Sequence, residues 1–254
     1  MSATVTSLLV AGGVFLAGYC ALVFFPKLPT HHRTNETRDV VRLGIGIVSL
    51  LTSLVLGLLI ASAKSTFDTT DGQMRAYAAD FIVLDQVLRN YGPEADGVRN
   101  VLRVYVDRVI RSIWPEEMPG APLRLEEDMT GGMLDRVMQS VLALKATNPD
   151  QVWLRQQALG TVSRLIQTRW SLLVNQNGTI SPVILEVVVT WIMVIFASFG
   201  LNAPYNGTVV GAFMICALSI GASVFLIQEL DAPLNGVIVI SAEPMKNAQS
   251  HLGQ

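Results

Sequence analysis

Few side chains in this sequence are placed to do chemistry, and most of them stand alone. His31 and His32 are adjacent, and the third histidine is His251. None has cysteine or carboxylate partners at metal-ligand spacing, so His31–His32–Arg33 reads as a surface hairpin and not a metal site. Cys20 and Cys216 fall inside apolar segments and supply no disulfide framework. There is no glycine-rich phosphate loop and no HExxH, GxSxG or CxxC motif. No cofactor or metal is implied, and an enzyme is the weakest class. Glu229 and Asp231 stand at the mouth of the last apolar segment. Paired acids there can bind a cation, although capping or salt-bridging is their commoner role.

One constellation remains, in the stretch GIGIVSLLTSLVLGLLIASAK from Gly44 to Lys64. At about 100° per helical residue, Gly46, Ser49, Ser53, Gly57 and Lys64 share a stripe roughly 80° wide, with Leu50 and Ile60 also inside it. Val48, Leu51, Val55 and Leu58 lie on the opposite face, as lipid contact requires. Two chemistries suit the stripe. Small residues let another helix pack closely, or they form the wet wall of a pore, with Ile60 as an apolar constriction and Lys64 concentrating anions at its mouth. For Lys64 the plain alternative is snorkelling to the headgroups. A packing face tolerates Gly→Ala poorly, whereas a wet face tolerates Ser→Thr and Ser→Asn. Gly207 and Gly211 form a GxxxG, which reads as helix packing.

The elements that must carry these residues follow from composition. Of 254 residues, 51% are hydrophobic and only 15% charged, a balance that excludes an ordinary soluble domain. Crossing a hydrocarbon core takes about 20 apolar helical residues. Ser7 to Phe25, Leu43 to Ala63, Val183 to Leu201 and Thr208 to Ile227 each qualify. Met1 precedes the first run without a basic residue, so that run is expected to be a retained span and not a cleaved signal. The expected plan is all-α and integral to the membrane. It has a transmembrane hairpin (1–64), a helical extramembrane domain (65–181), a second hairpin (182–230) and a tail (231–254). A formal charge of −2 gives no footing for a nucleic-acid partner. Asn35, Asn177 and Asn206 begin N-x-Thr sequons of the kind that polar turns produce by chance.

Within the central block, Tyr77, Phe81, Leu84 and Leu88 give Met74–Asn90 an amphipathic helical face. In NYGPEA, Gly92 suits a helix C-terminus and Pro93 the first position of the next. That next helix is expected to bury Val98, Val101, Leu102, Tyr105, Val109 and Ile113 and to end at Trp114–Pro115. Arg99, Arg103, Asp107 and Arg111 recur along its other side as a solvated face tied by i,i+4 pairs. Leu123–Asp128 is an acidic connector, Leu134–Thr147 a third helix, and Asn148–Pro149 caps a long helix reaching Leu173. Lys and Arg near the span ends number four on one side and five on the other, which leaves the orientation open.

Read in order, HHRTNETRDVV, LDQVLRNYGPEADGVRNVLRVYV closing on WP, RW at Arg169–Trp170, FASFGLNAPYNGT and LIQELDAPLNGVIVISAEP closely resemble a bacterial bestrophin-like family without a defined activity. The distant resemblance is to bestrophins, which are pentameric anion channels with four spans per subunit. It implies a pore lined by the second span, a cytosolic helical domain between spans two and three, and cytosolic termini. Bestrophin necks carry bulky apolar and aromatic residues where this stripe has glycine and serine. The acidic calcium clasp of animal bestrophins has only a loose counterpart in Glu229 and Asp231. The expectation is an anion-conducting homo-oligomer, most simply a pentamer, in the bacterial inner membrane, with lipid and inorganic ions as its other partners. The rival expectation is a non-conducting membrane scaffold or sensor whose helical domain recruits a partner.

Overall fold

A computed structural model describes residues 2–24, 35–114, 127–175 and 178–253. His31, His32, Arg33, Pro115 and most of the Leu123–Asp128 connector lie outside the described residues. Every regular element among them is helical: α1 (Ala3–Phe24), α2 (Asn35–Tyr91), α3 (Asp96–Ile113), α4 (Glu127–Ala143), α5 (Pro149–Asn175), α6 (Pro182–Asn202), α7 (Gly207–Asp231) and α8 (Glu243–Leu252). Four of these, α1, α2, α6 and α7, are long and apolar enough to cross a membrane. The protein is an all-α integral membrane protein.

The second span and the Met74–Asn90 helix, separate in the sequence reading, are one helix of 57 residues. Between Lys64 and Met74 the chain has no proline and only Gly72, whose cost of about 1 kcal/mol relative to alanine does not stop a helix. What stops α2 is Gly92, at φ +120° and ψ −177°, a conformation that only glycine enters without strain. Pro93 then opens a 3-10 turn, Pro93–Ala95, ahead of α3.

The chain divides into two compact units, Met1–Phe67 with Gly178–Ala232, and Asp68–Asn177 with Pro233–Gln254. In the first, α1 packs on α6 and α7 through small residues. A Cβ on Gly200 would run into the backbone of Gly18 and Leu22, and one on Gly221 would lie 2.9 Å from Ser7 O and Ala11 Cβ. Around these close approaches Val14, Val188, Ile192, Phe196, Val224 and Ile227 form the core, joined from α2 by Leu59 and Ala63.

In the second unit, the end of α2 buries Met74, Tyr77, Phe81, Leu84 and Leu88. Amphipathic α3 meets them with Val98, Leu102, Tyr105, Val106, Val109 and Ile110, while Val101 and Ile113 are only half-buried. Asn148 caps α5 as its position requires, its Oδ1 accepting from Gln151 N at 2.8 Å. The C-terminal segment is part of this unit: Trp114 Nε1 donates to Ile240 O at 2.7 Å, and Met245, Ala248 and Leu252 of α8 are buried.

The arginine row of α3 is only in part the solvated face expected. Half-buried Arg99 lies against buried Asp85 of α2, with Nε 2.8 Å from Oδ1, and that hydrogen bond holds its guanidinium still more firmly charged. Asp85 also receives Arg89 at 2.9 Å. Arg103 Nε donates to the Leu252 carbonyl at the end of α8. Only Arg111 keeps the expected i,i+4 pair, at 2.9 Å from Asp107. Burial of Asp85 made the difference, because a buried carboxylate must be paired and hydrogen-bonded. Tyr77 and Tyr105 share a 2.6 Å hydrogen bond in the core, and burial first of all raises both phenols, Tyr105 to about 12.

Candidate functional site

The α2 span is the most open of the four. Of its most apolar 18 residues, 11% are buried, against 28–33% in the others, so most of its surface is left uncovered by its own chain. Three faces can be told apart by burial. Thr52, Leu59 and Ala63 are buried, and Ile45, Val48, Val55 and Leu56 half-buried, on the side turned to the core of its own unit. Thr52 joins that side without cost, since its Oγ1 donates to Val48 O at 2.7 Å. Opposite lies an aliphatic ridge, Leu43, Ile47, Leu50, Leu54 and Leu58, with Leu50 73% exposed and Leu54 and Leu58 each 61%. The small-residue stripe runs between these two faces.

Gly46, Ser53, Gly57 and Lys64 of the stripe are exposed on the chain, whereas Ser49 and Ile60 are half-buried. A Cβ on Gly46 or Gly57 would meet nothing within 4 Å. Ile60 packs against the core of the first unit, next to Leu59 and Ala63. Lys64 Nζ stands 5.6 Å from the centre of the Phe67 ring. The expected lipid face is divided: Leu51 and Leu58 are exposed, but Val48 and Val55 turn toward the core, because the helix is rotated by the apolar neighbours available to it.

Gly207 and Gly211 are exposed at the start of α7, with nothing within 4 Å of a Cβ on either. Close packing inside the subunit instead uses Gly18, Gly200 and Gly221. No spacing rule singled these out, since their partners lie on helices far away in sequence. Asn206, a sequon asparagine, is the N-cap of α7, its Oδ1 accepting from Val209 N at 2.8 Å.

Asp231 has a structural task. Its carboxylate accepts from Thr179 N and Oγ1, both at 3.0 Å, and from Ile180 N at 3.1 Å, closing the turn that begins at Gly178, φ +82°. Oxygens already engaged by donors are poor cation ligands, and neighbouring Glu229 is 5% exposed. Among the described residues no three His, Cys, Asp or Glu side chains are grouped to hold a metal. Asp231→Ala should remove charge-assisted bonds worth about 1–3 kcal/mol in total. The melting temperature in detergent should then fall by several degrees, with Asp231→Asn losing less. A melting temperature unchanged in Asp231→Ala would show that the turn does not depend on this carboxylate.

Residues 12–245 match the family model described as the bestrophin-like domain. Two variants of a bacterial bestrophin homologue from Klebsiella pneumoniae, solved as crystal structures, share the fold at a TM-score of 0.66 and 12% identity. The first covers 98% of this chain and 99% of its own, the second 100% and 99%. A crystal structure known only as a membrane protein is similar at a TM-score of 0.61 and 13% identity, over 99% of this chain and 98% of that one. No curated protein matches the sequence.

Proposed function

With the chain a member of the bestrophin-like family, we propose that it is a homo-oligomeric ion channel of the bacterial inner membrane, conducting anions along an axis lined by α2. The observation that carries this reading is the bareness of α2. A bundle of four packed helices leaves no water-filled path within itself, because packed interiors close at crystal-like density. A conduit therefore has to form between copies, and cyclic symmetry supplies the axis. The span with the least cover in its own subunit is the one left to line it. A pentamer is the stoichiometry we expect, with the second unit and both termini in the cytoplasm.

On this reading Gly46, Ser49, Ser53 and Gly57 form the wet wall, Ile60 a partly exposed constriction and Lys64 the cytoplasmic mouth. A second reading is favoured by the ridge of Leu50, Leu54 and Leu58, which is the face most nearly opposite the core-facing side. There the axis would be narrowed by leucines, which stop ions by dewetting, and the small stripe would meet the neighbouring copy. Cysteines at Ser53 and Leu54, about 100° apart on the helix, separate the two. Protection of conduction from a water-soluble thiol reagent at one site and block at the other names the face on the axis.

The primary test is salt-gradient flux from liposomes holding the purified protein, with its mass in detergent measured alongside. Anion flux from a closed oligomer is the expected result. A monomer in several detergents, or an oligomer without flux, ends the channel reading and leaves the scaffold. For orientation, a membrane-impermeant thiol reagent applied to intact cells should label Tyr205→Cys and spare Gln139→Cys, both made in a chain with Cys20 and Cys216 replaced. The reverse pattern would invert the topology.

A further inference from the structure

The first unit has a groove of about 590 Å³ between α2, α6 and α7, at the end of the spans that holds the α6–α7 turn. That volume lies within the roughly 300–1,000 Å³ typical of ligand pockets. Its lining is graded by depth. Exposed Arg42 stands one residue before the apolar run of α2, and Asn202 stands at the end of α6. Further into the span the walls are Ile45, Phe199 and Phe213, with Ser49 and Ser198 the remaining polar groups. Phe199 is 50% exposed in the subunit, so a large aromatic surface borders the groove without a covering side chain.

A single cation where the span meets the headgroups, above an apolar wall that continues into the hydrocarbon, has the polarity profile of a phospholipid turned inside out. Among the described residues that line the groove, Arg42 is the only charged one. A guanidinium forks onto two phosphate oxygens at once, which an ammonium cannot do. We propose that this groove is a site for an anionic phospholipid, its phosphate on Arg42 and an acyl chain lying along Phe199 and Phe213. Gly46 and Ser49 border the same groove, so a lipid there limits the wet wall to Ser53 and Gly57, or accompanies the second reading, with the leucine ridge on the axis. Ser53, Gly57 and Lys64 are left to other contacts. The site does not depend on whether the protein conducts.

The test uses the full-length protein, delipidated in detergent and equilibrated with mixed micelles of equal phosphatidylglycerol and phosphatidylcholine, with retained lipid counted by native mass spectrometry. The parent should retain phosphatidylglycerol in preference. Arg42→Gln, an exposed change that leaves the packing alone, should lower that preference about fivefold, the usual worth of one basic residue at an anionic surface. Ala212→Trp, which fills the groove from α7, should lose both lipids. Equal preference in the parent and Arg42→Gln would overturn the proposal. So would displacement of the lipid by millimolar inorganic phosphate, which would make this a free-anion site. Disulfide linkage of neighbouring copies through Ala212→Cys would overturn it too, by assigning the groove to a second copy of the chain.

Discussion

Lys64→Glu should lower the anion-to-cation permeability ratio by on the order of tenfold, read from the reversal potential across a salt gradient in planar bilayers. Lys64 is exposed on α2 and belongs to the same stripe as Gly46, Ser53 and Gly57. On the proposed reading, charge reversal in a closed ring acts once per copy, so effects that are small at an isolated surface site add at a shared mouth. The stacking of Nζ over Phe67 is lost, worth about 0.5–1 kcal/mol at an exposed site. A melting temperature measured alongside separates any loss of stability from the change in selectivity. Screening gives an internal control: the Debye length falls from about 10 Å at 0.1 M to about 3 Å at 1 M, so the mutant and parent should converge in high salt. A reversal potential that does not move in a stable mutant would place Lys64 away from the ion path, as a headgroup anchor.

Gly200→Ala should produce the largest loss of stability of any single methyl added to the helical glycines whose surroundings are described. The added Cβ would meet Gly18 O, Leu22 N and Ala21 Cβ. The first two are backbone atoms, so no rotamer change relieves the clash and α1 and α6 must separate. Overpacking of this kind costs about 1–3 kcal/mol and sometimes more. For a chain of this size that lowers the melting temperature by roughly 3–10 °C, measured on the purified protein in detergent. Gly57→Ala is the paired control. Its Cβ enters open space in the subunit, so it should leave the subunit as stable as the parent, or slightly more so through helix propensity. If Gly57→Ala is instead the damaging change and appears as loss of the oligomer, the stripe is a contact between copies and the leucine ridge inherits the axis. Equal melting temperatures for Gly200→Ala and parent would refute the close approach of α1 and α6.

These contrasts show how the information is divided. Hydropathy and length alone determined the four spans, because the cost of leaving backbone groups unpaired in hydrocarbon makes any 20-residue apolar run a helix. Local chemistry likewise determined the breaks and caps at Gly92–Pro93 and Asn148–Pro149, and most of the buried face of α3, since these depend on neighbours within a turn or two. The motif set in its order points by itself to the bestrophin-like family. Tertiary structure decided what depends on a partner distant in the chain. Nothing local says whether a helix continues when no residue forbids it, so α2 ran on through Ser65–Gln73. A GxxxG in sequence does not choose its partner, so Gly207 and Gly211 stayed open while Gly200 and Gly221 met α1. Periodicity places residues on a common face but not the face in the protein. The rotation of α2, with Val48 and Val55 turned inward and the leucine ridge outward, was set by the apolar surfaces of the helices beside it. Arg99 followed the same logic, drawn from solvent by the one carboxylate, Asp85, that the packing of α2 on α3 had already buried.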